Sequence, residues 1–141
     1  MMREYLRHPS NIPVDVEVIE EPGVCPAQAC DVSVAGLCCQ VETPVKPGCD
    51  IRFRVPSLSF DYTGLGRVVW CRRRGQQYQL GIEFCSGRDA YRARMVEQVC
   101  QIEAYRQQVA ENEGRTLTGE EAAAEWIDRF AADFDKRFAM G

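Results

Sequence analysis

The sequence lacks most features that would classify it at once. None of its apolar runs approaches the roughly 20 residues needed to cross a bilayer as a helix. The opening Met1-Met2-Arg3-Glu4-Tyr5 lacks the apolar stretch of a signal peptide, so a cytosolic chain without a membrane span is expected. Positive charge is not in excess either, since 17 Lys and Arg stand against 21 Asp and Glu, for a formal net charge of -4. Overall charge therefore points neither to nucleic acid nor to an anionic membrane surface, and an anionic ligand would have to be attracted by a local group of arginines. Histidine is nearly absent. The single one, His8, precedes Pro9 and has no nucleophile, paired carboxylate or metal partner in a recognisable motif. Ser33 has no nucleophile-elbow context. With no catalytic signature present, a protein that is not an enzyme is expected.

Cysteine, in contrast, is plentiful. The eight thiols stand at positions 25, 30, 38, 39, 49, 71, 85 and 100. No pair has Cys-x-x-Cys spacing, and the adjacent Cys38-Cys39 is an awkward geometry for two ligands of one tetrahedral ion. Most alternate with apolar residues in strand-like runs, where a thiol behaves as a small hydrophobe. Reduced, buried thiols are expected, with no metal site. A thiol or zinc enzyme would rest on cysteine number alone.

At 141 residues and 45% hydrophobic content the chain can bury a real core at about the size of one domain. From Pro13 to Phe84 it reads as strands punctuated by turn residues. Val14, Val16 and Val18 alternate with Asp15 and Glu17 up to a break at Glu21-Pro22-Gly23. Further extended stretches cover Cys25 to Asp31, Leu37 to Glu42 and Asp50 to Val55, and Gly66 to Arg73 with Gln76 to Phe84 form a hairpin around Arg74-Gly75. Short, closely spaced strands with no helix between them predict an antiparallel barrel over roughly residues 12 to 86.

After Gly87 the texture changes. Asp89 to about Asn112 contains neither proline nor glycine and sets Met95, Val99, Ile102 and Val109 near one face, which predicts an amphipathic helix. The break Asn112-Glu113-Gly114 leads to a capping box, Thr118 with Glu121 three residues on, and to a second helix ending near Phe138. Its stripe of Ala123, Trp126, Ile127, Phe130, Phe134 and Phe138 can pack on the chain itself or form a homodimer surface. The chain is thus expected to divide into residues 1–87, a barrel with an N-terminal arginine segment, and 88–141, a helical extension.

Two patterns carry chemistry. Arg3-x-x-x-Arg7 supplies a guanidinium pair, and Asp31-x-Ser33-x-x-Gly36 supplies a carboxylate, a hydroxyl and a position without a side chain. Guanine presents N7 and O6 as acceptors on one edge, matching a forked arginine, and N1-H with N2-H2 as donors on another, matching a carboxylate. Adenine would turn an acceptor toward Asp31. A guanidinium also pairs with phosphate and stacks on bases, Ser33 can reach a base or phosphate oxygen, and Gly36 leaves room for ligand or a tight turn. Trp70 is a secondary candidate, an indole platform for guanine, beside the plainer possibility of a core tryptophan. Arg72-Arg73-Arg74, the densest positive run, reads as a solvated hairpin tip, with a supporting role near the phosphates as the alternative.

Arg3-Glu4-Tyr5-Leu6-Arg7 and Asp31-Val32-Ser33-Val34-Ala35-Gly36 resemble, in order and spacing, the two signature patterns of the PilZ domain family. Gly66-Arg67-Val68-Val69-Trp70 and Leu80-Gly81-Ile82-Glu83-Phe84 look like that family's late barrel strands, so the resemblance covers about residues 3 to 86. It implies a six-stranded antiparallel barrel that binds the bacterial second messenger cyclic di-GMP, as one molecule or as a self-stacked pair. By that resemblance Arg3 and Arg7 clamp guanine and phosphate groups, while Asp31, Ser33 and Gly36 line the opposite wall. It further implies that residues 1 to about 11 are mobile when empty, fold over the nucleotide and alter a surface for a protein partner. The competing expectation is an adaptor that binds no nucleotide and acts through its helices.

Overall fold

The structure, a computed structural model, describes the backbone of residues 8–19, 21–33, 35–59, 63–86 and 89–140, and within these all side chains but 21–24, 86, 89–93, 135 and 137–140. Among the described residues seven strands precede two helices: β1 (His8–Pro9), β2 (Pro13–Val18), β3 (Glu21–Val32), β4 (Gly36–Val41), β5 (Asp50–Arg54), β6 (Thr63–Arg74), β7 (Gln77–Ser86), α1 (Asp89–Glu113) and α2 (Gly119–Met140). Every strand pairing is antiparallel, and the order β3-β2-β5-β6-β7-β4 closes through β3–β4 into a six-stranded barrel, with β1 laid outside on β3. Closure leaves β1 as the one described strand outside the ring, which removes most free edge from the sheet.

The barrel forms because its strands alternate. On β2 to Val16, on β5, and on β6 as far as Val68, every second residue is buried, including Val14, Val16, Ile51, Phe53 and Val68. Leu37, Cys39 and Val41 of β4 and Leu80 and Ile82 of β7 complete the interior. Phe53 stacks on Phe84 at 5.1 Å, beneath Gly64, where an added Cβ would collide with the Phe53 ring. Register shifts lie between Glu17 and Val18, Ala29 and Asp31, Leu65 and Gly66, and Val68 and Trp70. Such bulges bend and twist strands as closure requires.

The expected break at Glu21-Pro22-Gly23 is part of a strand. Val18 pairs with Glu21 and Glu17 with Val24, so Pro22 and Gly23 fall inside the register shift. There the missing proline N–H costs no ladder bond. The other unexpected strand is β1, where His8 pairs with Val32 and Pro9 with Asp31. Both residues belong to the stretch expected to be free.

The helices stand on the same core as the barrel. Met95, Val99, Ile102 and Val109 of α1 are buried, as are Ala122, Ala123, Trp126 and Phe134 of α2. Gln98 of α1 is fully buried against the loop after β5; its Oε1 accepts from Ser59 N at 2.8 Å and its Nε2 donates to Ser59 Oγ at 2.7 Å. Gly114, with φ of 66°, ends α1 in the left-handed conformation that glycine adopts at low cost. The capping box is present: Glu121 N donates to Thr118 Oγ1 at 3.1 Å, and Thr118 N to Glu121 Oε1 at 2.9 Å. Glu125 joins the two helices, accepting from Tyr105 Oη at 2.9 Å and from both terminal nitrogens of Arg115 at 3.0 and 3.1 Å. In the apolar stripe of α2, Phe130 stays 43% exposed, and the Phe138 side chain lies outside the described residues.

Candidate functional site

The Asp31 to Gly36 motif forms the turn between β3 and β4, and two of its three marker residues build that turn. Ser33 N donates to Gly36 O at 2.8 Å, Ser33 Oγ donates to the same oxygen at 3.3 Å, and Ala35 N donates to Ser33 Oγ at 3.2 Å. Ser33 is only 1% exposed, so its hydroxyl satisfies backbone groups that the turn would otherwise orphan. Gly36 meets β7: an added Cβ would stand 2.1 Å from Ile82 O. Its bareness therefore serves the close approach of two strands. Ala35 O accepts from Phe84 N at 2.9 Å, tying the turn to β7 as well.

Asp31 is different. It is half-buried, it is paired in register with Pro9 on one side and Cys38 on the other, and it stands on the outer wall. Cys38 pairs with Gly81, and Gly81 with Trp70. A single row, Pro9, Asp31, Cys38, Gly81 and Trp70, thus crosses five strands of the outer wall. Three strand spacings separate Asp31 from Trp70, about 14 Å of backbone. The indole narrows that gap. A Cβ on Gly81 would lie 2.7 Å from Trp70 Cδ1 and closer still to Nε1 and Cε2, so the ring lies over the bare strand, pointing toward Cys38. Trp70 is half-buried and lies on the outer wall, not in the barrel interior.

Beside this row runs a second one, Gln28, Gln40, Gln79 and Arg72, again in register. Arg72 Cζ lies 4.9 Å from the Trp70 ring centroid, within the range where a cation is drawn to the ring face. The register shifts isolate Cys30 on β3 and Val69 on β6 as the extra residues flanking these rows. Burial, followed by the neighbouring Cys38 and Cys30 thiols, pushes the Cys39 thiol far above its ordinary range. Cys39 is inert filling of the barrel interior. Among the described residues no group of three or more His, Cys, Asp or Glu is placed to hold a metal ion.

The structure brings Asp31, Ser33 and Gly36 into one hairpin and aligns Trp70 with Asp31 across the sheet. Arg3 and Arg7 lie outside the described residues. Gly81 and Gln79 were not singled out as site residues by sequence, and Arg72 only within the basic run Arg72-Arg73-Arg74, although a glycine inside the strand Leu80-Gly81-Ile82 is a signal of close approach. A groove of about 460 Å³ lies elsewhere, between α1 and α2, lined by Tyr105, Trp126, Phe130 and Phe134 among others. No described helix is long and apolar enough to cross a membrane.

No curated protein matches the chain. Among solved structures, the PilZ domain of YcgR from Escherichia coli with c-di-GMP aligns at TM-score 0.62 and 12% identity, covering 82% of this chain and 100% of that one. YcgR in complex with c-di-GMP aligns at 0.61 and 12%, covering 82% and 51%. The Bacillus subtilis inhibitor of motility MotI/DgrA aligns at 0.60 and 10%, covering 74% and 52%. This chain therefore matches about half the length of the latter two, and the likeness is one of fold. The model of the PilZ domain matches residues 2–101, well over half of the chain, which belongs to the PilZ domain family.

Proposed function

We propose that the chain is a cytosolic cyclic di-GMP receptor, without catalytic activity, whose N-terminal arginine segment closes over the nucleotide and changes the surface offered to a protein partner. The observation that carries this is the outer-wall row with Asp31 toward one end and Trp70 at the other. Asp31 can accept from guanine N1-H and N2-H2, leaving N7 and O6 for a forked arginine. The family's structures of YcgR with c-di-GMP supply the ligand class.

Covalent geometry limits how far the arginines can lie from the motif. Arg7 is bonded to His8, and His8 pairs with Val32, the residue before Ser33. The Arg7 Cα is therefore about 3.8 Å from that of a residue docked beside the motif, and Arg3 lies at most about 14 Å further along the chain. Coupling to the helical extension from residue 88 has a physical route. A Cβ on Gly119, at the start of α2, would lie 2.7 Å from Asn11 O, so the stretch after the arginines packs directly on the second helix.

Calorimetry of the whole chain with cyclic di-GMP is expected to give micromolar or tighter affinity, lost severely in Arg7→Ala and in Asp31→Ala. Absence of heat and of any mobility shift at high ligand would sink the proposal. Hydrogen exchange over residues 1 to 11 is expected to slow on saturation; unchanged exchange would remove the closing segment and leave binding intact. One observation favours an adaptor acting through α1 and α2 without nucleotide, namely the exposed Phe130 beside the interhelical groove. That alternative predicts partner or self-association that is indifferent to cyclic di-GMP.

A further inference from the structure

Arg72 is held unlike its neighbours in the basic run. Its Nε and Nη2 both donate to Gln79 Oε1, at 3.1 and 2.9 Å, and its guanidinium lies over Trp70. Gln79 is itself anchored, because its Nε2 reaches across β4 to Cys30 Sγ at 3.4 Å. Arg73, in contrast, donates Nε to Gly75 O within its own turn. Two other arginines of the barrel wall are neutralised, Arg52 by Glu17 at 2.8 Å and Arg67 by Asp50 at 3.2 Å. No carboxylate among the described residues pairs with Arg72. A neutral amide orients the guanidinium without cancelling its charge.

One edge of that guanidinium is committed to Gln79. The other edge, with Nη1 and the second Nη2 hydrogen, has no partner among the described residues and is open to an in-plane anionic oxygen, which an arginine fork binds more strongly than a neutral acceptor. The side chain sits next to the Asp31 to Trp70 row, one strand position pair away along β6. We propose that Arg72 meets the nucleotide on the barrel wall, donating its open edge to a phosphodiester oxygen, with Gln79 as the positioning residue. The proposal rests on the cyclic di-GMP reading above and identifies where the ligand's charge is met on the barrel itself.

The test compares the intact chain with Arg72→Ala, Gln79→Glu and Arg73→Ala, each titrated calorimetrically with cyclic di-GMP at low and at high salt. Arg72→Ala is expected to weaken binding about tenfold or more and to flatten its salt dependence, because a screened charge contact is gone. Gln79→Glu retains an acceptor for the fork but neutralises the guanidinium, and is expected to weaken binding too. Arg73→Ala is expected to stay within about twofold, as a solvated charge should. Unchanged affinity in Arg72→Ala overturns the proposal. So does weakened binding with undiminished salt dependence together with a Gln79→Glu variant that binds normally, since that pattern marks base stacking on Arg72. Failure of the intact chain to bind overturns the receptor function itself, whereas an intact chain that binds and ignores Arg72 overturns only this contact.

Discussion

Replacing Gly36 by alanine separates the two reasons for a glycine there, room for ligand or room for the sheet. The new Cβ would stand 2.1 Å from Ile82 O, 3.1 Å from Ile82 C and 3.3 Å from Glu83 Cα, all backbone atoms of a strand buried in the barrel. Ordinary contact begins near 3.4 Å, so β4 and β7 must part by about 1.3 Å at this point, a displacement no rotamer change can absorb. Overpacking of this kind costs about 1–3 kcal/mol. Loosening the Ser33 N to Gly36 O and Phe84 N to Ala35 O bonds adds roughly 1 kcal/mol. The lower unfolded-state entropy of alanine returns about 0.5 kcal/mol. Gly36 has no positive φ among the described residues, so the cost is steric and not conformational. The net expectation is a loss of about 1.5–3.5 kcal/mol, read as a lower urea midpoint with unchanged slope and a melting temperature lower by roughly 10 °C. A Gly36→Ala protein with the wild-type midpoint that no longer binds cyclic di-GMP would refute this, and would show that the glycine clears space for ligand.

Gly81→Ala meets a side chain where Gly36→Ala meets backbone, so the Trp70 ring should swing off the strand at a cost under about 1.5 kcal/mol; in a Trp126→Phe background its fluorescence should shift and cyclic di-GMP affinity fall. Gln98→Leu leaves the Ser59 N–H without its buried acceptor and should cost about 1–3 kcal/mol in urea unfolding. Thiol titration at pH 8 should modify exposed Cys85 first and spare Cys39, whose thiol burial holds protonated, and Cys100, pushed up to about 11 chiefly by burial, until the chain is unfolded. Hydrogen bonds from Arg115 and then Tyr105 hold Glu125 below its ordinary 4.5. Its contribution is therefore fully present above that value and lost as pH falls through the lower folded value, so the stability gap between wild type and Glu125→Gln should close as pH falls below 4.5.

Much of the fold was legible because it rests on short-range signals. The alternation of Val14, Val16 and Val18, the Arg74-Gly75 turn, the Gly114 stop and the Thr118–Glu121 capping box each operate within a few residues, and each occupies its expected place. The site was legible only as a set of residue types. That Asp31 faces outward in line with Trp70, while Ser33 and Gly36 spend themselves on the turn, depends on which strands meet and in what register.

The sequence by itself therefore determined the element types, the barrel class, the helical extension and the motif residues Asp31, Ser33 and Gly36, because periodicity and turn chemistry are local. Tertiary structure alone decided the pairing of His8–Pro9 with β3, the placement of Pro22 and Gly23 in a register shift, and the seat of Asn11 against Gly119. It also decided that Trp70 lies on Gly81 and that Gln79 holds Arg72 above it. These contacts join residues far apart in the chain, and only closure of the barrel, with its bulges fixing the register, brings them to one wall.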